Sequence, residues 1–360
     1  MDLRLNVDNE RLINSIKTAI ACLLGFFAAH FFNLPMAAWV LITIIVVMST
    51  QINVGGVVIK STMRLLGTLV GALASGLVLL VYDDHTLAVT VFLFLSIFIF
   101  SYIAGSPKDI SNVGLLGAAT VVMIVLSDDP TYKTAILRFI EISIAILIAF
   151  IVSKFLFPIH AYQKIYEAIA ATLENYIELY QLVWIQDTGT QAFLEKEEKI
   201  IAIFATQRKL MHEAGNELSK KSLDKATYAN ILTSQREIFR YICFIHHALI
   251  KLETGLPLEK QVSLFNQHVY FWLEQLAKSL RERHLTLDIN DISNHELLPL
   301  IREFENMPTL PSEQHLILDA FFFCALNLVR ELRNLTRLIG LLIEKQKKPP
   351  RLKGFKMRKF

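Results

Sequence analysis

Three absences narrow the function of this chain of 360 residues. The first is of cysteine: only Cys22, Cys243 and Cys324 occur, and their wide spacing fits neither a disulfide framework nor a metal-binding knuckle. The second is of enzyme motifs, because the sequence has no Walker loop, no G-x-S-x-G, no H-E-x-x-H and no paired cysteines. We therefore do not expect an enzyme, and we expect no metal site and no cofactor.

The third absence is of charge. From Thr18 to Ile59 the chain contains no Asp, Glu, Lys or Arg, and further apolar stretches follow before Lys154. A helix needs roughly 20 mostly apolar residues to cross a bilayer, so these stretches predict a transmembrane domain over residues 1–157. The second and fifth of the six predicted spans are short. The spans are Ile13 to Phe32, Met36 to Met48, Arg64 to Tyr82, Leu87 to Ala104, Val113 to Leu126 and Ala135 to Phe157.

Residues 158–344 have a different composition, with 19 basic and 24 acidic residues on amphipathic segments. Apolar residues recur four and three apart in three segments, as in helices that pack along a seam. These patterns predict a cytosolic α-helical domain of long antiparallel helices, the first of which continues from the sixth span. The seams are Tyr162, Tyr166, Ile169, Leu173, Tyr176, Tyr180 and Val183; Ile231, Gln235, Ile238, Ile242, Ile245, Leu249 and Leu252; and Leu318, Phe322, Ala325, Val329, Leu332, Thr336, Ile339 and Ile343.

Residues 345–360 form a basic C-terminal tail with eight Lys or Arg and no acidic residue. Such a tail binds anionic lipid at the cytoplasmic leaflet or is simply disordered, and the sequence leaves both interpretations open. Nucleic acid is not expected as a partner, because the helical domain before the tail is net acidic.

The distribution of Lys and Arg among the short loops predicts the orientation in the membrane. Basic residues precede the first span, lie between spans two and three and between four and five, and follow the sixth. The alternate loops contain only Lys133, together with four aspartates. We therefore expect a multi-pass protein of the inner membrane with both termini in the cytoplasm.

The six spans divide into two triplets, with Arg64 opening the third span and Arg138 opening the sixth. Three crossings per triplet would invert one copy relative to the other, and paired short helices in inverted repeats point to a transporter binding site. The sequence predicts two inverted three-span repeats. It leaves open whether the short spans are discontinuous helices that line a cavity or ordinary spans with polar ends.

Charged residues near the ends of the spans are the candidate pathway residues, because a charge at membrane depth costs roughly 2.5–3.5 kcal/mol even on the mildest scale. Lys17, Lys60 and Arg64 are predicted at the cytoplasmic mouth, where they would attract anions. Arg138 and Glu141 lie three residues apart on one helix face and can neutralise each other. Interfacial snorkelling of Arg64 and a purely structural Arg138–Glu141 pair are the alternatives.

On the third span, Gly67 and Gly71 lie four residues apart, which permits close approach of another helix. Together with Arg64 and Thr68 they form the pattern R-x-x-G-T-x-x-G, which follows Trp39 and Thr43 on the second span. Over residues 10–160 this order of residues, with Arg138 and the closing Phe157-Pro158, resembles the fusaric acid resistance and aromatic acid exporter superfamily.

The resemblance implies export of aromatic or other organic anions. Plant relatives of this superfamily, the aluminium-activated malate transporters, are dimeric anion channels with six spans and a helical cytosolic domain. By this resemblance, the positions that match the functional motif of the family are Arg64, Gly67, Thr68 and Gly71. The sequence departs from the family pattern in two ways. Bacterial exporters of this type are often of double length, so a homodimer is expected to supply the second membrane half. In addition, Glu141 stands where the repeat of Gly67 would place a small residue, which argues against one common mechanism for both triplets.

We therefore expect a transporter that exports organic anions, aromatic carboxylic acids in particular, with the lipid bilayer and a second copy as partners and a periplasmic adaptor left open. The expected path leads from the basic mouth, past Trp39, Thr43 and Thr120 on the short spans, to Arg138. A passive anion channel is one alternative. The other is a membrane-anchored helical module that binds a protein partner.

Overall fold

The chain, seen in a computed structural model, is described at residues 9–49, 51–82, 85–106, 110–128, 130–185, 189–217, 225–252, 259–292, 301–302 and 312–347. Within these residues it is all-helical, as predicted, and contains eleven α-helices and one 3-10 turn at Ile289–Asp291. It forms two compact units, the first with α1 to α6 and the second with α7 to α11.

The first unit contains α1 (Asn9–Phe31), α2 (Ala37–Met48), α3 (Val54–Tyr82), α4 (Thr86–Ala104), α5 (Ile110–Val125) and α6 (Tyr132–Phe155). The second contains α7 (Ala161–Val183), α8 (Gly189–Ala214), α9 (Lys225–Ile250), α10 (Glu259–Glu282) and α11 (Ser312–Lys347).

Four helices of the first unit, α1, α3, α4 and α6, are long and apolar enough to cross a membrane. Much of the apolar surface of these helices is exposed. In the most apolar 18-residue stretch of α4 only 11% of the residues are buried, and Phe94 and Phe98 on that helix are 68% and 72% exposed. Apolar surface of this extent is typical of helices that face lipid. The second and fifth predicted apolar segments are short helices, as expected, with 12 residues in α2 and 16 in α5.

Helix α3 begins earlier than predicted. The third span was expected to start at Arg64, with Gly55 and Gly56 in the preceding loop, but the helix starts at Val54 and includes both glycines. The backbone N–H of Val54 donates to the carbonyl of Ile159 at 3.0 Å, which satisfies one of the unpaired donors at the helix start. The prediction was wrong because hydropathy stops at the first charged residue, whereas the helix continues through it.

The prediction that the first cytosolic helix continues from the sixth span is also wrong. Helix α6 ends at Phe155 and α7 begins at Ala161. Phe157 has a positive φ of 45°, and the following Pro158 disfavours helical backbone at the residue before it. The dipeptide Phe157-Pro158 therefore separates the two helices.

Packing in the first unit centres on α3 and α6. Helix α3 packs against α5 and α6, α2 packs against α1 and α6, and α4 packs against α5. One apolar cluster joins α1, α2, α3 and α6 through small and β-branched residues such as Ala21, Val47 and Ala149. This arrangement leaves the buried faces of α2, α3 and α6 at the centre of the unit.

In the second unit, α9 packs along α11, and the predicted seams of α7, α9 and α11 are buried over most of their length. Several buried polar groups of this unit are paired between helices. The hydroxyl of Tyr176 donates to the carbonyl of Gln235 at 2.6 Å, and the Gln207 amide donates to Thr172 at 2.7 Å and to the Gln235 side chain at 3.2 Å. Buried amides that are paired in this way help to fix the register of the helices.

Candidate functional site

Two arginines from different helices meet one face of α2. Trp39 and Thr43 lie one turn apart on α2, about 6 Å along its axis. The guanidinium of Arg138, from α6, lies 5.7 Å from the centre of the Trp39 ring. Nη2 of Arg64, from α3, donates to the hydroxyl of Thr43 at 2.9 Å. Arg64 and Arg138 thus contact successive turns of the short helix α2, at Thr43 and Trp39. The structure brings these four predicted pathway residues together.

Arg138 has a carboxylate partner. Its Nη1 lies 2.9 Å from Oε2 of Glu141, and the two side chains are 4% and 1% exposed. The other carboxylate oxygen of Glu141 accepts the backbone N–H of Met36 at 3.0 Å, and the Met36 sulfur contacts the Arg138 guanidinium. The predicted pairing of these residues is present, and it also ties α6 to the start of α2.

Arg64 has no carboxylate partner among the residues that the structure describes. The residue is 4% exposed, and its Nε is buried with no hydrogen-bond partner among the described residues. A hydroxyl such as that of Thr43 compensates only part of the cost of removing a guanidinium from water. The Arg64 side chain is therefore buried among the helices of the first unit.

Lys17 is the most completely buried of the predicted cations, at 1% exposure. Its Nζ has no hydrogen-bond partner in the described part of the chain. It lies on the buried face of α1 between Asn14 and Ala21, and Asn14 donates to the carbonyl of Met48, the last residue of α2, at 3.2 Å. Among the described residues, no hydrogen bond joins Lys17 to Arg64.

Lys60 lies one turn before Arg64 on α3 and is half-buried. Within the described helices α1 to α6, the nearly fully buried charged residues are Lys17, Arg64 and Arg138 against the single carboxylate of Glu141. The interior of the unit therefore has an excess of positive charge. In a medium of low dielectric such an excess attracts anions strongly.

A polar stripe runs along the buried face of α3. Ser61, Thr68 and Ser75 are spaced seven residues apart, are 6%, 1% and 0% exposed, and have hydroxyls without a partner among the described residues. Arg64 lies between the first two. Ser61 and Ser75 are about 21 Å apart at the usual helical rise, so the stripe covers most of the thickness of a bilayer core.

The glycines of α3 permit close packing against α5. A Cβ added to Gly67 would lie 2.7 Å from the carbonyl oxygen of Val113, and one added to Gly71 would lie 2.9 Å from the carbonyl oxygen of Gly117. Thr120 is next to Gly71, and its hydroxyl donates to the Leu116 carbonyl of its own helix at 2.8 Å. Helix packing thus accounts for both glycines.

Sequence reasoning missed several residues that build this site. Met36 was recognised only as a span boundary, although its N–H binds Glu141, and its position directly after Pro35 was the available signal. Ser61 and Ser75 were not predicted as site residues, although each lies seven residues from Thr68 in the sequence. Gly117 on α5, whose carbonyl oxygen lies close to Gly71, was also missed. Its only signal in the sequence is that it is a small residue within a short predicted span.

Comparison with known proteins gives two matches. The family model of the fusaric acid resistance protein family matches residues 11–348, and so extends beyond α6 into the second unit. The inner membrane protein YeeA of Escherichia coli (strain K12) is 25% identical over 230 residues, which are 63% of this chain. The matched region likewise spans 63% of the length of that relative.

Proposed function

The chain belongs to the fusaric acid resistance protein family, and on that basis we propose that it exports organic anions, aromatic carboxylates in particular, across the inner membrane. The observation that carries the proposal is the burial of Lys17 and Arg64 without a carboxylate partner among the described residues. A charge inside a membrane bundle is costly and usually belongs to a transport path. An anionic substrate offsets this cost when it binds.

The path follows the polar face shared by α2 and α3. The anion is attracted electrostatically by Lys17, Lys60 and Arg64, and it then passes Thr68 and Thr43. An aromatic ring can stack at Trp39 on the next turn of α2, where the Arg138 guanidinium already lies over the indole. Release proceeds past Arg138, whose charge is reduced by Glu141.

The packing of the first unit supports two inverted three-helix repeats that form six spans. If α1, α2 and α3 correspond to α4, α5 and α6, each contact in one repeat should have an equivalent in the other. The contact of α1 with α2 is matched by that of α4 with α5, the contact of α2 with α6 by that of α5 with α3, and the contact of α1 with α6 by that of α4 with α3. In repeats of this kind the short members are placed near the substrate at mid-membrane. Helices α2 and α5 occupy that position.

The orientation follows from the charge of the loops, with both termini in the cytoplasm and α7 to α11 forming a cytosolic domain. The relative YeeA is an inner membrane protein, which supports the same membrane for this chain. The expected assembly is a homodimer, which supplies the second membrane half found in double-length exporters.

Glu141 is the candidate for coupling to a proton gradient, because it is the only acidic residue among the described parts of the predicted spans. A proton-linked exporter needs a titratable relay of this kind, whereas a passive channel does not. If the Glu141→Gln variant transports with undiminished response to a pH gradient, Glu141 has no coupling role.

Flux in proteoliposomes tests the proposal. A panel of benzoate, 4-hydroxybenzoate and malate is measured for the wild type and for Arg64→Ala, with and without an imposed pH gradient. We expect flux of the aromatic acids that falls at least about tenfold in Arg64→Ala, because a charge-assisted contact is lost. Equal flux in the two proteins would contradict the proposed path, and a response to the gradient would separate an exporter from a channel.

A second candidate function is an anchored interaction module, in which α1 to α6 hold a helical bundle at the membrane. The buried seams of α7, α9 and α11 favour it only as far as they favour any folded bundle. The flux experiment separates the two, because a module that only binds a partner gives no flux for any acid in correctly inserted protein.

A further inference from the structure

The second unit contains a groove of about 630 Å³ between α8 and α9. Phe204 from α8 and Phe239 and Phe244 from α9 line it, together with Arg236 and Arg240. On α9 the arginines and the following polar residues lie three or four positions apart, and they therefore share one face of the helix. The groove thus combines aromatic surface with positive charge.

The aromatic surface is suited to a flat ring. Phe204 and Phe239 meet edge to face, with ring centres 5.6 Å apart and an angle of 79° between the rings. Phe244 is 53% exposed, which is unusual for a phenylalanine on a helix that is otherwise well packed. A planar aromatic ligand in the groove would cover these rings, and such contacts prefer offset or edge-on geometry.

Arg236 is available to a carboxylate. Its guanidinium lies 5.8 Å from the centre of the Phe204 ring, and it makes no hydrogen bond or ion pair with any residue that the structure describes. Arg240 contacts Glu237 at 3.1 Å at the exposed rim of the groove. A guanidinium held over an aromatic ring keeps its donor edge free for two parallel hydrogen bonds to a carboxylate.

The remaining polar residues of the groove form no ion pair with Arg236 in the part of the chain that the structure describes. Glu197 is the one carboxylate in the described lining, and it accepts from the Cys243 thiol at 3.9 Å. Burial, and then the neighbouring Glu197, raise the pKa of Cys243 to about 12, so this thiol adds no negative charge. The ring nitrogen Nδ1 of His247 lies 2.8 Å from the Cys243 carbonyl. Arg240 is paired with Glu237, so Arg236 is the guanidinium of the lining that has no carboxylate partner among the described residues.

We propose that this groove binds a planar aromatic monocarboxylate, with the carboxylate on Arg236 and the ring against Phe204, Phe239 and Phe244. The ligand class follows from the chemistry of the groove and does not depend on the proposed transport path. Aliphatic acids lack the stacking surface and bind more weakly. Dicarboxylates are disfavoured, because their second charge meets the Glu197 carboxylate.

Photolabelling of the full chain in lipid nanodiscs with 4-benzoylbenzoate, a photoreactive aromatic carboxylate, tests this site. Labelled positions are mapped by peptide mass spectrometry. We expect saturable adducts on peptides of α8 and α9 that excess benzoate suppresses and cyclohexanecarboxylate suppresses much less. Adducts on α1 to α6 are scored separately, so a failure of this groove is distinguished from a failure of the transport proposal.

Three variants sharpen the result. Arg236→Gln should lower labelling of α8 and α9 about tenfold or more, because a charge-assisted contact is removed. Glu197→Gln should raise it, because a like charge is removed. Arg330→Gln, at an exposed position on α11 outside the groove, should leave it unchanged. Labelling of α8 and α9 that is absent, that benzoate does not suppress, or that is equal in Arg236→Gln and wild type overturns the proposal.

Discussion

The two units of this protein bury charge in different ways. In the described part of α1 to α6, four charged side chains, Lys17, Arg64, Arg138 and Glu141, are less than 5% exposed. In the described part of α7 to α11, Glu213 is the one charged residue buried to that degree. The other buried polar residues of that unit are neutral, and some of them pair between helices, as Gln207 and Gln235 do.

This difference indicates which buried groups serve the fold. Neutral amides and hydroxyls that are paired stabilise a helical bundle at modest cost. Charges in the apolar unit carry a much larger desolvation cost, and among its described residues only the buried Arg138 and Glu141 offset it by pairing with each other. Within the described residues, no carboxylate offsets that cost for Lys17 or Arg64, and we propose that an anion path through the membrane explains their burial.

The largest effect should come from breaking the paired charges. Glu141→Ala leaves the Arg138 guanidinium buried without its carboxylate, and we expect a loss of ~3–5 kcal/mol in stability. Thermal unfolding of the detergent-solubilised protein measures it. The double variant Arg138→Met with Glu141→Leu should recover most of the loss, because replacing both partners with apolar groups removes the buried charge. A single variant as stable as wild type would show that the pair is not structural.

A smaller effect on stability should distinguish alanine substitutions at two glycines of α3, Gly67 and Gly76. A Cβ at Gly67 meets a backbone oxygen at 2.7 Å, whereas at Gly76 the nearest atom, Cβ of Ala135, is 3.4 Å away. We expect Gly67→Ala to destabilise the first unit by ~1–3 kcal/mol through overpacking. Gly76→Ala is the matched control and should be neutral or stabilising, by up to ~1 kcal/mol, through helix propensity. Equal unfolding temperatures for the two variants would contradict the close approach of α3 and α5.

In the second unit, Tyr176→Phe should cost ~1 kcal/mol at neutral pH, because the hydrogen bond to the Gln235 carbonyl is lost. Burial raises the pKa of Tyr176 well above its usual value, so the folded state keeps the phenol protonated. The stability linked to this residue is therefore present below pH ~10 and is lost as the pH rises above it. Urea unfolding as a function of pH should show weaker alkaline destabilisation in the variant, and identical pH profiles would contradict this.

The sequence was sufficient for the features that depend on local spacing. Hydropathy gave the membrane segments, the heptad seams gave the bundle, and the three-residue spacing gave the Arg138–Glu141 pair. The meeting of Arg64 and Arg138 on α2 depends on how α3 and α6 pack, and no local pattern encodes that packing. The burial of Lys17 was missed for the same reason, because a lysine near the end of a span is equally compatible with snorkelling to the interface.

The start of α3 and the break after α6 were misjudged for opposite reasons. Hydropathy ended the apolar run at Lys60, although a lysine is a good helix former and the helix passes through it. At Phe157 the apolar run favoured continuation, although the following proline disfavours it. In both places backbone preference decided the structure, and hydrophobicity was the wrong guide.

The most direct test of a functional role for unpaired buried charge is Lys17→Met, measured for thermal stability and for aromatic acid flux on the same preparation. Our proposal predicts that stability is unchanged or increased, because an uncompensated charge is replaced by an apolar side chain of similar length, while flux falls by at least about tenfold. A variant that unfolds at markedly lower temperature, or one that transports as well as wild type, would contradict it.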